Sequence, residues 1–182
     1  MKDILRPTLI LVIICVVAGG ILALIYQQTA PIIERNRKLG EEVARKEVLP
    51  MASEFQPVKT DKDTICYKGL DNDGKLVGYT FTCEKEGYGG IIRTMVGIDT
   101  LSQISGIKVM SQQETPGLGA NCTSPEFTEQ FIGKDPKQLM VKKDGGEIEA
   151  ITGATITSRA ITDAIREKFS QIKDIISTKE EG

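Results

Sequence analysis

The stretch Thr64–Cys83, TICYKGL-DNDG-KLVGYTFTC, decides the fold. Two runs rich in β-branched and aromatic residues, Thr64–Leu70 and Lys75–Cys83, flank Asp71-Asn72-Asp73-Gly74, a composition that closes antiparallel hairpins. The same acidic turn resembles the start of a calcium loop, but only part of that pattern is present and its closing Glu is missing, so the turn is favoured. Pairing Leu70 with Lys75 sets Cys66 opposite Tyr79. At ~3.3 Å per residue that leaves Cys66 and Cys83 at positions ~13 Å apart, beyond disulfide reach. Free thiols are expected at Cys66, Cys83 and Cys122, a state suited to a reducing setting or to an organism that avoids oxygen.

C-terminal to the hairpin, Gly87-Tyr88-Gly89-Gly90 interrupts, and Ile91–Asp99 with Ile104–Gln112 form a second strand pair. Tyr88 looks exposed, although a packed strand-end tyrosine is the commoner outcome. Glu114-Thr115-Pro116-Gly117-Leu118-Gly119 reads locally as a Pro-Gly turn. Ser124-Pro125-Glu126 starts a helix whose Phe127, Phe131 and Ile132 form an apolar face ending at Gly133. After an Asp144-Gly145-Gly146 turn, Ile148–Ile151 is expected as a short strand. A last helix carries Ile161, Ala164, Ile165, Phe169, Ile172, Ile175 and Ile176 at helical spacing, with a polar, frayed tail from Ser177. The fold class is α+β, an antiparallel sheet covered by a few helices.

N-terminal to the hairpin, no charged residue occurs from Pro7 to Ile33, and Thr8–Tyr26 is almost entirely apolar. That matches the about twenty residues a bilayer core requires and exceeds a signal peptide's apolar region. Residues 1–30 are therefore expected to be a transmembrane anchor. Cys15 lies within the span, and Gly19-Gly20 would let another span pack closely. Residues 31–50 read as a juxtamembrane helix or stalk, interrupted at Gly40, with a solvated charged face, and 51–182 as the globular domain. Lys2 and Arg6 before the span are outnumbered by the basic residues after it. Taken literally, that puts the domain in the cytoplasm, but large domains translocate largely regardless of charge.

Composition excludes several chemistries. The 182 residues hold no histidine, which removes His-based acid/base catalysis, His-activated nucleophiles, His zinc sites and His-ligated haem. The four cysteines form no C-x-x-C pair, so no metal site is expected in this chain alone. A net charge of −2 without a basic block speaks against nucleic acid.

Ile151-Thr152-Gly153-Ala154-Thr155-Ile156-Thr157-Ser158-Arg159 runs straight into the last helix. Its hydroxyls are ordinary helix N-caps by one account. By another, a helix start with small residues and unpaired N–H groups is a place where a phosphate can sit. Local sequence leaves both open.

The ordered set GYGGIIRTMVGID, QQETPGLG, FTEQFIGK and DGGEIEAITGATITSRAI, behind one span and a hairpin, resembles the G subunit of the Rnf electron-transport complex over essentially the whole chain. It resembles somewhat less well the C subunit of the sodium-pumping NADH:quinone reductase, a usually longer chain. The resemblance implies an FMN-binding domain at 51–182 with FMN joined by a phosphoester to the last threonine of the [Ser/Thr]-Gly-Ala-Thr-x-Thr motif, which is Thr157 here. Thr152 stands where serine is usual. Thr152, Gly153, Ala154, Thr155 and Ser158 would then adjoin the flavin phosphate, and Glu114, Thr115, Leu118 and Gly119 would lie against the flavin.

The same resemblance implies a separate flavin transferase that uses FAD and a metal ion, since an unassisted threonine is a poor nucleophile. It further implies the other Rnf subunits as partners and electron relay between ferredoxin and NAD⁺ coupled to ion movement. No catalytic residue is expected in this chain, whose domain would sit on the extracytoplasmic side of the inner membrane behind a single span. A flavin-free, membrane-anchored binding or assembly module is the alternative of a different class.

Overall fold

The computed structural model describes residues 2–60 and 63–180, and the chain divides into two compact units, residues 1–41 and 42–182. Helix α1 spans Lys2–Val48 without a break. In the first unit its large apolar side chains from Leu9 to Tyr26 are all more than half exposed, and the helix is long and apolar enough to cross a membrane. Gly40 does not interrupt it, contrary to expectation. One helical glycine costs about 1 kcal/mol relative to alanine, and the ion pairs of Arg37 with Glu34 and Glu41 at helical spacing work against that loss.

The second unit is built on a five-stranded antiparallel meander, β1 (Glu54–Thr60), β2 (Asp63–Leu70), β3 (Leu76–Glu86), β4 (Ile91–Asp99) and β5 (Ile104–Ser111), in sequential order. The 64–83 hairpin and the second strand pair form as expected. Lys75, however, belongs to the turn. Asp71 accepts hydrogen bonds from the N–H groups of Asp73 and Lys75 while its own N–H donates to the Lys75 carbonyl. Leu70 therefore pairs with Leu76, the register slips beside Gly69, and Lys68 rather than Cys66 faces Tyr79.

Strand β1 went unforeseen. Its Pro57 cannot donate to a ladder, which demotes the segment in sequence, and β1 is indeed an edge strand where proline is tolerated.

Alternate residues of β3 (Tyr79, Phe81, Cys83) and β4 (Ile92, Val96, Ile98) point into one core. Helix α3 (Thr155–Glu180) covers it through Ile161, Ala164, Ile165, Phe169 and Ile172. Ile175 and Ile176 lie outside the described side chains. The helix continues through Ser177 to Glu180, so the tail is helical where fraying was expected.

The last turns of α1, which belong to this unit, cover the opposite face, with Ala44 and Val48 against Met95 and Met110. Gly97 makes that approach possible, since a Cβ there would come within 2.3 Å of the Val48 carbonyl oxygen. Arg45 is buried with its guanidinium 3.7 Å from the centroid of the Tyr67 ring, so this one charge leaves the solvated face that Glu42, Lys46 and Glu47 keep.

Helix α2 (Pro125–Thr128) passes into a 3₁₀ turn at Glu129–Phe131. Phe127 and Phe131 are buried edge-to-face, 5.3 Å between centroids. The tighter turn rotates the chain out of α-helical phase, and Ile132 faces solvent instead of joining them. The strand expected at Ile148–Ile151 is a single parallel bridge, Val141 to Ile148. Gly146 lies so close to the Met140 carbonyl that the chain folds back on itself there, and no ladder extends.

Cys66, Cys83 and Cys122 are buried free thiols. Burial pushes the Cys83 thiol up to about 12 and the Cys122 thiol up to about 11, the latter aided by the charge of Glu114. Both are neutral at physiological pH.

Candidate functional site

The turn into α3 is set by hydrogen bonds within the 151–159 stretch itself. Gly153 takes a positive φ of 76°, open to glycine and strained for other residues. Ser158 donates from its hydroxyl to the Ala154 carbonyl and accepts from the Ile151 N–H, fastening the turn from behind. The Ser158 N–H also donates to Ala154, at 3.1 Å. Ser158, expected beside the flavin phosphate, therefore has its own N–H already engaged within the turn.

Thr157 is 1% exposed, and its hydroxyl donates to Glu114 Oε2 at 2.5 Å. Glu114, 6% exposed, accepts the Gly89 N–H on its other oxygen at 2.9 Å. The slot around them requires glycine. A Cβ at Gly119 would lie 2.5 Å from Glu114 Oε2 and 2.7 Å from Thr157 Oγ1. One at Gly87 would lie 2.4 Å from Glu114 Oε1.

Thr157 and Glu114 form part of the lining of an open cavity of about 570 Å³, together with Tyr88, Thr115, Leu118, Gly119, Lys143, Gly153, Ala154, Thr155 and Ile156. Eight of the residues singled out in the sequence thus meet in one place: Glu114, Thr115, Leu118, Gly119, Gly153, Ala154, Thr155 and Thr157. Two do not. Ser158 is buried behind the turn, and Thr152 lines a neighbouring cavity of about 630 Å³ whose shared wall is Leu118.

Lys143 had no sequence signal. Asp144 forms a two-pronged ion pair with Arg159, 2.6 and 2.7 Å, which brings the 142–144 turn beside α3. The Arg159 guanidinium holds the Asp144 carboxyl below the usual carboxylate range. Lys143 then donates to the Thr155 hydroxyl at 3.0 Å. Tyr88, three-quarters exposed, stands at the same cavity and is not the packed strand-end tyrosine of the commoner case.

Exposed apolar Tyr88, Leu118 and Ile156 suit the face of a flat ring system, and the cavity volume falls in the range of small-molecule sites. The lysine and the first N–H groups of α3 suit a phosphate. The residues present fit FMN. A membrane-associated flavin-binding domain is the class that this cavity and the apolar helix define.

Residues 87–169 match the FMN-binding domain family and residues 1–48 the RnfG N-terminal region. The chain is 38% identical over 172 residues to the G subunit of the ion-translocating oxidoreductase complex of Methanosarcina acetivorans, covering 90% of this chain and 92% of that protein. It is 37% identical over 186 residues to the G subunit of the Na(+)-translocating ferredoxin:NAD(+) oxidoreductase complex of Acetobacterium woodii, covering 90% and 89%. The fold is similar to that of the C subunit of the Na(+)-translocating NADH-quinone reductase from Parabacteroides distasonis, with a TM-score of 0.54 over 72% of this chain and 79% of that one at 23% identity. The chain belongs to the family of G subunits of ion-translocating oxidoreductase complexes, the Rnf family. Its role is that of an electron-transfer subunit of such a complex.

Proposed function

We propose that the protein carries FMN covalently, through a phosphoester to Thr157, and relays electrons within a ferredoxin:NAD⁺ oxidoreductase complex. The observation behind this reading is the Thr157 hydroxyl in the lining of a ring-sized cavity, where the ETPGLG loop meets the start of α3. FMN, when bound, supplies the redox chemistry. The protein's share is to bind and orient. Tyr88, Leu118 and Ile156 offer apolar surface to the ring, Gly119 and Gly153 keep the wall thin, and Lys143 with the N–H groups of Thr155, Ile156 and Thr157 balances the phosphoester charge. Thr152 and Ser158 act at one remove, through the turn that they bound.

In this reading the chain is the acceptor substrate of a flavin transferase that takes FMN from FAD, and its partners are the remaining Rnf subunits. Intact-mass measurement on protein from its native host tests it. One added FMN less one water is expected, whereas the bare chain mass would leave the flavin-free binding module standing.

We propose a single pass with the domain on the extracytoplasmic face, a reading supported by the resemblance to the Rnf G subunits and set against the literal count of basic residues, a count that weighs little for a large domain. A cysteine introduced at an exposed position such as Glu126 should react with an impermeant maleimide on intact cells or spheroplasts. Labelling only after lysis would reverse the orientation.

A further inference from the structure

We infer that Glu114 is the general base for loading of the protein's own cofactor, taking the proton from Thr157 as its hydroxyl attacks. The inference rests on the proposed attachment at Thr157.

A threonine hydroxyl attacks phosphorus poorly unless its proton has somewhere to go, and a chain without histidine has few groups to take it. Glu114 has the required position. Its Oε2 lies 2.5 Å from Thr157 Oγ1, the length of a charge-assisted O–H···O bond. Both residues are buried, where a hydrogen bond to a carboxylate counts for more than in water. The Gly89 N–H holds the other carboxylate oxygen, and Gly87 and Gly119 close so tightly on the pair that no side chain fits between. The carboxylate is thus fixed with its acceptor aimed at the one hydroxyl in question. A glutamate that served only to fill the loop would need neither this aim nor glycine on two sides of it.

The step balances as follows. Thr157 Oγ1 bonds to the flavin-side phosphorus of the diphosphate of FAD, held with a divalent metal ion by the transferase. The phosphorus–oxygen bond to the adenosine monophosphate side breaks, and AMP leaves with that electron pair. The hydroxyl proton passes to Glu114 Oε2 and from there to water. Nothing is oxidised or reduced. Glu114 is neutral at the moment the phosphoester, with its single negative charge, forms beside it, which removes a like-charge contact that a carboxylate would suffer.

The experiment uses the full-length chain in detergent, expressed without transferase, then incubated with a purified flavin transferase, FAD and Mg²⁺. Loading is read by intact mass and in-gel flavin fluorescence over a range of protein concentrations. Glu114→Gln keeps the shape and the Gly89 contact but cannot take the proton, and it should lower kcat of loading about 10²- to 10³-fold with KM for the protein unchanged. Glu114→Asp, which keeps the acceptor on a shorter arm, should load faster than Glu114→Gln.

Wild-type kcat in Glu114→Gln, a defect confined to KM, or Glu114→Asp no faster than Glu114→Gln would each overturn the assignment. If a thermal melt shows that Glu114→Gln does not fold, Glu114→Asp must load within about tenfold of wild type for the assignment to stand. Failure of wild-type protein to load at Thr157 is a different outcome, and it overturns the attachment site itself.

Discussion

Thr157→Ala is expected to abolish covalent flavin while leaving the fold in place. The substitution removes the hydroxyl and one methyl-sized volume from a site whose structural hydrogen bonds are made by its neighbours. Ser158 fastens the turn, Gly89 holds Glu114, and Lys143 holds Thr155. What it exposes is a buried carboxylate deprived of one donor, which costs about 1–3 kcal/mol, a part of a typical domain's stability and not the whole. In-gel fluorescence should fall to background and the intact mass should match the unmodified chain. A melting transition should persist, lowered by several degrees. Fluorescent, FMN-loaded Thr157→Ala protein would refute attachment at this residue. Thr157→Ser, which retains the hydroxyl, should restore loading.

The second large effect is on stability. Phe169 is 1% exposed at the centre of the face that α3 lays on β3 and β4. Truncation to alanine leaves a cavity that neighbouring side chains fill only in part, so Phe169→Ala should cost about 3–5 kcal/mol in urea unfolding. That rivals the total stability of many domains of this size. The loss has a functional face as well, because α3 holds Thr157 at its start, and partial unfolding of the helix separates the hydroxyl from Glu114. A cost below about 1 kcal/mol would mean that the core is held by the sheet alone, with α3 a loose cover.

Much of this was legible in the sequence because its signals were local. The DNDG turn closes its hairpin through the Asp71 carboxylate, a bond available to any chain with that spacing. The apolar period of 161–172 reports the buried side of α3 directly. Eight residues drawn from two distant motifs converge because the 114–119 loop packs against the start of α3 through the Glu114–Thr157 contact. Features that depended on distant partners were not legible. Lys143 comes to the cavity beside the Asp144–Arg159 pair, and Arg45 is buried against Tyr67 on β2. The exposed Ile132 follows from a switch of helix type that no apolar count reveals. The sequence makes Glu114 a wall of the flavin site, but its contact with Thr157 joins residues 43 positions apart, so its chemistry is visible only in three dimensions.

The seating of Val48 over Gly97 bears on how a water-soluble version of this protein has to be cut. A fragment begun at residue 51 discards Ala44, Val48 and Leu49, three side chains no more than 1% exposed, and bares Met95 and the wall of Gly69 to solvent. Such a fragment carries a sticky patch that belongs to no binding site, and self-association is its expected fault. Beginning at Glu42 keeps the lid on the sheet and leaves the exposed apolar helix of the first unit behind.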